Sequence, residues 1–132
     1  MGNNYFISVD ANDIGKKIEN LILNEKKEEL SVFSNTVSGN ITDIAKCIEA
    51  SGSEVIMAGG DNILAVIDSQ KTDMVLRKIS EINACESVIF SVGLGNSMTN
   101  SYLALKYAKA TKDFAIMYDG TDFKQIFKGD KL

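Results

Sequence analysis

Residues 54–67 read Glu-Val-Ile-Met-Ala-Gly-Gly-Asp-Asn-Ile-Leu-Ala-Val-Ile, two strand-like runs at 54–58 and 63–67 separated by Gly59-Gly60-Asp61-Asn62. Apolar and β-branched residues suit a half-buried pleated surface, and so short a Gly/Asp/Asn link leaves only a tight hairpin. Upstream, Val37, Ile41, Ile44, Ala45 and Ile48 recur at helical spacing in a segment expected to run from Ser31 to a glycine stop at Gly52. The charged patch Glu25–Glu29 reads as a solvated turn or helix end. Ile14, Ile18, Leu21 and Ile22 mark an earlier helix, and Tyr5–Val9 a buried first strand that stops at Asp10. Downstream, Val75, Ile79 and Ile82 share a helical face within 71–83, and Val88–Val92 returns as a strand entering Gly93-Leu94-Gly95. Thr99 is placed to cap a last helix that pairs Leu103 with Tyr107 and Ala104 with Ala108 and spaces Lys106, Lys109 and Lys112 by three; strands at 114–118 and 123–127 follow. The resulting order, β-α-α-β-β-α-β-α-β, contains βαββαβ. The expected class is α+β, ferredoxin-like, with helices on one face of the sheet, an extra N-terminal helix and an added C-terminal helix and strands.

The chain has 132 residues, 45% hydrophobic and 24% charged, with mean hydropathy −0.02. That is the size and balance of one globular domain spanning 1–132. The absence of His excludes imidazole relays and His-ligated metals, leaving carboxylates, lysines and bound cations for any chemistry. Cys47 and Cys85 are too few for a thiolate zinc site and are expected to be reduced and buried. The net charge of −4 and a pI near 4.8 disfavour long nucleic acid as a partner. Residues 100–132 nevertheless hold six Lys (106, 109, 112, 124, 128, 131) against four Asp, while residues 1–99 carry −6. No leader-like segment or bilayer-length apolar run is read, so the expectation is a cytoplasmic protein without membrane insertion.

A βαββαβ order sends the first and second strands the same way and sets the third between them, so Asp10 and the hairpin Asp61 should project side by side at one rim. Two carboxylates there repel, and two divalent cations would relieve the repulsion while suiting in-line phosphoryl transfer. Taken separately, Gly59-Gly60-Asp61-Asn62 is compatible with an ordinary turn and Asp10–Gly15 with an ordinary helix cap. The same corner can hold phosphates through backbone N–H groups near Asn12, Asp13 and Ile14, with Gly15 allowing close approach. Lys106 and Lys109 could be solvated helix residues or could meet a triphosphate.

Four motifs in order, VDANDIG at 9–15, AGGDN at 58–62, SVGLG at 91–95 and ALKYAK at 104–109, resemble the nucleotidyl-cyclase palm of GGDEF diguanylate cyclases and type III CRISPR polymerases, and most closely the stand-alone minimal CRISPR polymerases. The resemblance implies that Asp10 and Asp61 are catalytic and bind two Mg²⁺ or Mn²⁺ ions with help from the Ala11 carbonyl. It also implies that Gly59, Gly60 and Asn62 belong to the nucleotide site and that Lys109, with Lys106 and Asp13 beside it, serves the phosphates. It further implies a homodimer that uses ATP or another NTP to make a cyclic oligoadenylate, foremost a cyclic dinucleotide, as an anti-phage signal read by a separate membrane effector. With no sensory segment read in the chain, synthesis is expected to be constitutive. Three positions depart from the pattern: Asn62 stands where the relatives carry an acid, Ile18 stands where guanine-reading cyclases carry Asn, and Asp113 replaces a common basic residue. Ile18 favours adenine over guanine, and Asn62 keeps open a degenerate palm that binds a nucleotide without turning it over. An RNA-binding module is disfavoured by Ile63-Leu64-Ala65-Val66 and the acidic pI, and metal-assisted hydrolysis of a purine ring stays a minor alternative.

Overall fold

The computed structural model describes residues 3–85 and 87–127; Lys128, Asp130 and Lys131, counted above in the basic tail, lie outside them. The elements are β1 (Asn4–Ala11), α1 (Ile14–Leu23), α2 (Lys27–Ala50), β2 (Glu54–Ala58), β3 (Asn62–Asp68), α3 (Thr72–Asn83), β4 (Phe90–Gly95), α4 (Met98–Thr111), β5 (Ala115–Tyr118) and β6 (Phe123–Gln125). They build a mixed sheet of order β2-β3-β1-β4-β5-β6. Every pairing is antiparallel except β4 with β5, whose parallel run needs the crossover that α4 provides. The α+β, ferredoxin-like reading holds.

Strand alternation sorts the residues into two faces. Ile7, Val9 and Ala11 of β1 and Ile63, Ala65 and Ile67 of β3 turn to one face, against Val37, Ile41, Ile44 and Ile48 of α2 and Val75, Leu76 and Ile79 of α3. Helix α4 packs on the opposite face instead. There Ala104 and Ala108 meet Ile116, and the Ser101 and Ser8 hydroxyls share a hydrogen bond of 2.9 Å. Its close approach explains the glycines of β4: a Cβ at Gly93 would lie 2.2 Å from the Leu105 nitrogen, and one at Gly95 would lie 2.6 Å from that of Ser101. The β2–β3 part of this face is left without a helix, with Leu64 and Val66 half-buried and Met57 53% exposed.

Several boundaries differ from expectation for physical reasons. Strand β4 begins at Phe90, not Val88, because the Asn83 amide takes both main-chain groups of Phe90, at 2.8 and 2.9 Å, and so ends the loop there. It then continues through Gly95, since its glycines answer α4 and do not make a turn. Helix α2 starts at Lys27, earlier than Ser31, with Glu28 and Glu29 in a first turn whose partial positive charge suits them. The cap of α4 is Ser97, whose hydroxyl accepts the Asn100 N–H at 3.0 Å; Thr99 lies inside the helix. The expectation of two buried cysteines is corrected: Cys85 is exposed just past α3, and Cys47 is half-buried, with burial pushing its thiol pKa up. Among the described residues no helix is long and apolar enough to cross a membrane.

Candidate active site

The rim where β1 ends and the β2–β3 hairpin turns is built by main-chain bonding. The register sets Asp10 directly opposite Asn62, and the Ala11 N–H donates to the Asp61 carbonyl at 3.0 Å. The hairpin closes through the Gly59 N–H and the Asn62 carbonyl at 2.8 Å. The topology thus joins the two sequence motifs, with Asp61 one residue beyond the pair that faces across the strands. A Cβ at Gly59 would lie 2.9 Å from the Asn62 side-chain oxygen, the far end of a side chain that can turn aside, so packing does not demand that glycine. Gly60 has neither a positive φ nor an atom within 4 Å of such a Cβ. Folding does not require it, and its bare backbone leaves the tip open to close approach.

Lys109, in the last turn of α4, reaches over this rim. Its ammonium donates to Asp10 Oδ2 at 2.6 Å and to the Ala11 carbonyl at 3.3 Å, with both charged side chains partly shielded from water. A cation thus already bridges the two β1 oxygens that the resemblance assigns to metal. Asp10 and the Ala11 carbonyl, with Asp61 on the adjoining hairpin, offer hard oxygens of the kind Mg²⁺ and Mn²⁺ prefer. The Asp61 carboxylate makes no hydrogen bond or ion pair among the described residues, so it keeps its lone pairs for such an ion. The donor set therefore fits a divalent cation, although the described residues hold no cluster of three or more His, Cys, Asp or Glu side chains. A nucleotide's own oxygens would have to supply the rest.

Behind the rim, the β1–α1 corner borders a cavity of about 570 Å³ whose lining includes Asn12, Asp13, Ile14, Lys17, Lys109 and Lys112. The Asn12 N–H, expected among the phosphate donors, is spent on the Ile89 carbonyl at 2.8 Å, and its side chain accepts the Ser91 hydroxyl at 3.1 Å. Asn12 therefore fastens the corner to β4. Asp13 adopts a left-handed conformation (φ 59°) before α1 without capping it through its side chain, so the first N–H groups of α1 have no partner within the helix. A Cβ on Gly15 would meet nothing within 4 Å. The Lys106 ammonium lies 5.2 Å from the centre of the Tyr102 ring. Lys17 and Lys112 are cations of the cavity that the motifs did not single out; the even spacing of Lys106, Lys109 and Lys112 was the available signal for the second. Asp113 also borders the cavity, its carboxylate accepting from Thr111 and Gln125.

The profile of the family described as "mCpol: minimal CRISPR polymerase domain" matches residues 6–118. No curated protein is similar enough in sequence to match. Among solved structures, a diguanylate cyclase/phosphodiesterase from Caldicellulosiruptor saccharolyticus superposes with a TM-score of 0.59 at 20% identity, over 92% of this chain and 79% of that one. A bacterial light-regulated adenylyl cyclase gives 0.64 at 15% identity, over 88% and 75%. At such identities the likeness is one of fold. The profile, in contrast, spans most of the sequence, including the β1 carboxylate, the hairpin and the α4 lysine that meet at one rim: the chain belongs to the minimal CRISPR polymerase (mCpol) family and is an enzyme of the nucleotidyltransferase class.

Proposed function

We propose that this chain is a divalent-metal-dependent nucleotidyl cyclase that converts two ATP molecules into a cyclic dinucleotide and two pyrophosphates. The observation that carries the reading is the meeting of Asp10, the Ala11 carbonyl and the Asp61 hairpin with a bridging cation, Lys109, next to a lysine-lined cavity. Bound Mg²⁺ or Mn²⁺, two per site, would activate the attacking ribose hydroxyl and stabilise the leaving oxygen. Asp10 and Asp61 hold those ions, and the Ala11 carbonyl adds a neutral donor. Lys17, Lys109 and Lys112 take the β- and γ-phosphates, drawing negative charge toward the pyrophosphate as it departs. In each of two attacks a ribose oxygen bonds to the α-phosphorus of the other nucleotide, the bond to the bridging oxygen breaks, and the hydroxyl proton passes to solvent. Two protomers of this single palm domain face each other so that each holds one nucleotide.

The wider reading is a cytoplasmic anti-phage enzyme whose product is sensed by a separate membrane effector, with no long nucleic acid as substrate. Adenine is preferred because Ile18 offers no hydrogen bond to a guanine edge. A second reading, a palm that binds a nucleotide without turning it over, is favoured by one observation: the residue directly across from Asp10 is Asn62, an amide. Incubating the pure chain with all four NTPs and Mn²⁺ and reading the products by mass spectrometry separates them. A cyclic adenine dinucleotide with two pyrophosphates per ring supports the cyclase. ATP that is bound and recovered intact supports the second reading.

A further inference from the structure

The Ala11 carbonyl owes its direction to bonds made elsewhere. A trans peptide is planar, so its C=O and the N–H of the next residue point opposite ways, and fixing one aims the other. Among the described residues no peptide is cis. The Ala11 carbonyl shares its peptide with the Asn12 N–H, which donates to the Ile89 carbonyl at 2.8 Å. The Ile89 carbonyl in turn shares its peptide with the Phe90 N–H, which donates to Asn83 Oδ1 at 2.8 Å. One continuous row therefore runs from the last residue of α3 to the rim: the Asn83 side chain, the Ile89–Phe90 peptide, the Ala11–Asn12 peptide, and the Lys109 ammonium at 3.3 Å from the Ala11 oxygen. Two side-chain bonds pin it. Asn83 Nδ2 donates to the Phe90 carbonyl at 2.9 Å, which stops the amide from turning, and the buried Ser91 hydroxyl donates to Asn12 Oδ1 at 3.1 Å. Asp13, next in the chain, is left-handed at φ 59°, a conformation that costs a residue with a Cβ, so the corner relies on these tertiary bonds.

We infer that Asn83 is a positioning residue for the rim: through this row it aims and polarises the Ala11 carbonyl toward the cation held beside Asp10. The inference rests on the cyclase reading, in which that cation is a divalent ion, and adds what presents the neutral oxygen to it. Aligned hydrogen bonds strengthen one another, because a peptide whose N–H is already donating carries more negative charge on its oxygen. A carbonyl lacks the full charge of a carboxylate, so its worth to an ion depends on its aim and on that polarisation. None of the four sequence motifs contains Asn83. It acts from the end of α3, through β4, on a residue of β1.

The test uses the full chain, labelled with ¹³C and ¹⁵N, as wild type, Asn83→Ala and Asn83→Asp. A carboxylate at 83 still accepts the Phe90 N–H but cannot donate to the Phe90 carbonyl, so it keeps the row while weakening the start of β4. Without metal, Asn83→Ala is expected to shift the Ala11 carbonyl resonance and to speed hydrogen exchange of the Asn12 amide. With a non-hydrolysable ATP analogue present, it is expected to weaken Mn²⁺ binding about tenfold, the order expected when a group that orients a metal ligand is removed. Its affinity for the analogue in chelator is expected to stay at the wild-type level. Asn83→Asp is expected to melt lower than wild type and yet to bind Mn²⁺ as wild type does. Mn²⁺ affinity that follows the melt, lost in both variants, overturns the inference and makes Asn83 a structural cap only. An Ala11 resonance unmoved by Asn83→Ala overturns it too, and either result leaves the cyclase reading standing. If Asn83→Ala does not fold, Ser91→Ala releases the row at Asn12 and leaves the start of β4 intact, and the same three readouts decide. Wild type that binds no Mn²⁺ even with the analogue defeats the cyclase reading itself, and the carbonyl's role toward a divalent ion falls with it.

Discussion

Lys109 places an ammonium on the Asp10 carboxylate and the Ala11 carbonyl, so a divalent ion held there, as proposed, would compete with the lysine for Asp10. Lys109→Met is therefore expected to tighten Mn²⁺ binding about fivefold without nucleotide, as read by the free Mn²⁺ paramagnetic resonance signal, and to weaken ATP binding. Weaker Mn²⁺ binding would show that the lysine supports the ion instead. Asn62→Asp sets a second carboxylate opposite Asp10. Like charges across an antiparallel pair cost up to about 1 kcal/mol, so the melting temperature is expected to fall in chelator and to recover in Mn²⁺ beyond the wild-type gain. A melt unmoved by either condition would separate position 62 from the ion site. The adjacency of the Asp10 strand end and the Asp61 hairpin was legible from sequence because strand ends and hairpins are local features. The contact from Lys109 to Asp10 was not, since helical spacing gives a face and says nothing of what the face meets. The Asn12 main chain misled for the same reason: its partner, Ile89, is distant in sequence.

The elements turn on how closely α4 can approach β4. A methyl group at Gly93 would collide with the backbone of Leu105 and Ser101, which no side-chain rotation can relieve. Gly93→Ala is expected to destabilise the chain by roughly 1–3 kcal/mol in a denaturant melt and, by displacing α4, to lengthen the reach of Lys109 and lower ATP affinity. Unchanged stability would mean that α4 is free to move outward. The hairpin, the two long helices and the strand order were readable because hydrophobic period and turn chemistry agreed. The end of β4 was not. Glycines that read as a strand exit are strand residues here, required by a helix packed across them, and that requirement is tertiary. The cap of α4 shifted from Thr99 to Ser97 on equally fine grounds, since only Ser97 has the extended backbone that aims a hydroxyl at the free N–H groups.

At the scale of the whole molecule, Met57, Met98 and Tyr102 stand open around the cavity that Asp10 borders, and the proposed synthesis of a cyclic dinucleotide would set two loaded rims face to face. If synthesis needs two protomers, specific activity is expected to fall in proportion to concentration once the dimer dissociates, with light scattering marking the same midpoint. Activity per protomer that is constant through dissociation would place both nucleotides on one chain. Sequence alone supplied the class of the fold and the coincidence of two motifs at one rim. It could not supply the two cavities beside the Asp10–Lys109 pair, which arise only when α1 and α4 pack on different sides of β1. The proposed catalysis requires two distant acids to grip the same ions as the nucleotide. The most direct test is equilibrium dialysis of Mn²⁺ with a non-hydrolysable ATP analogue on wild type, Asp10→Ala and Asp61→Ala. It is expected to give two ions per protomer on the wild type and a loss of ion binding in each variant, and undiminished Mn²⁺ binding by Asp61→Ala would contradict the account.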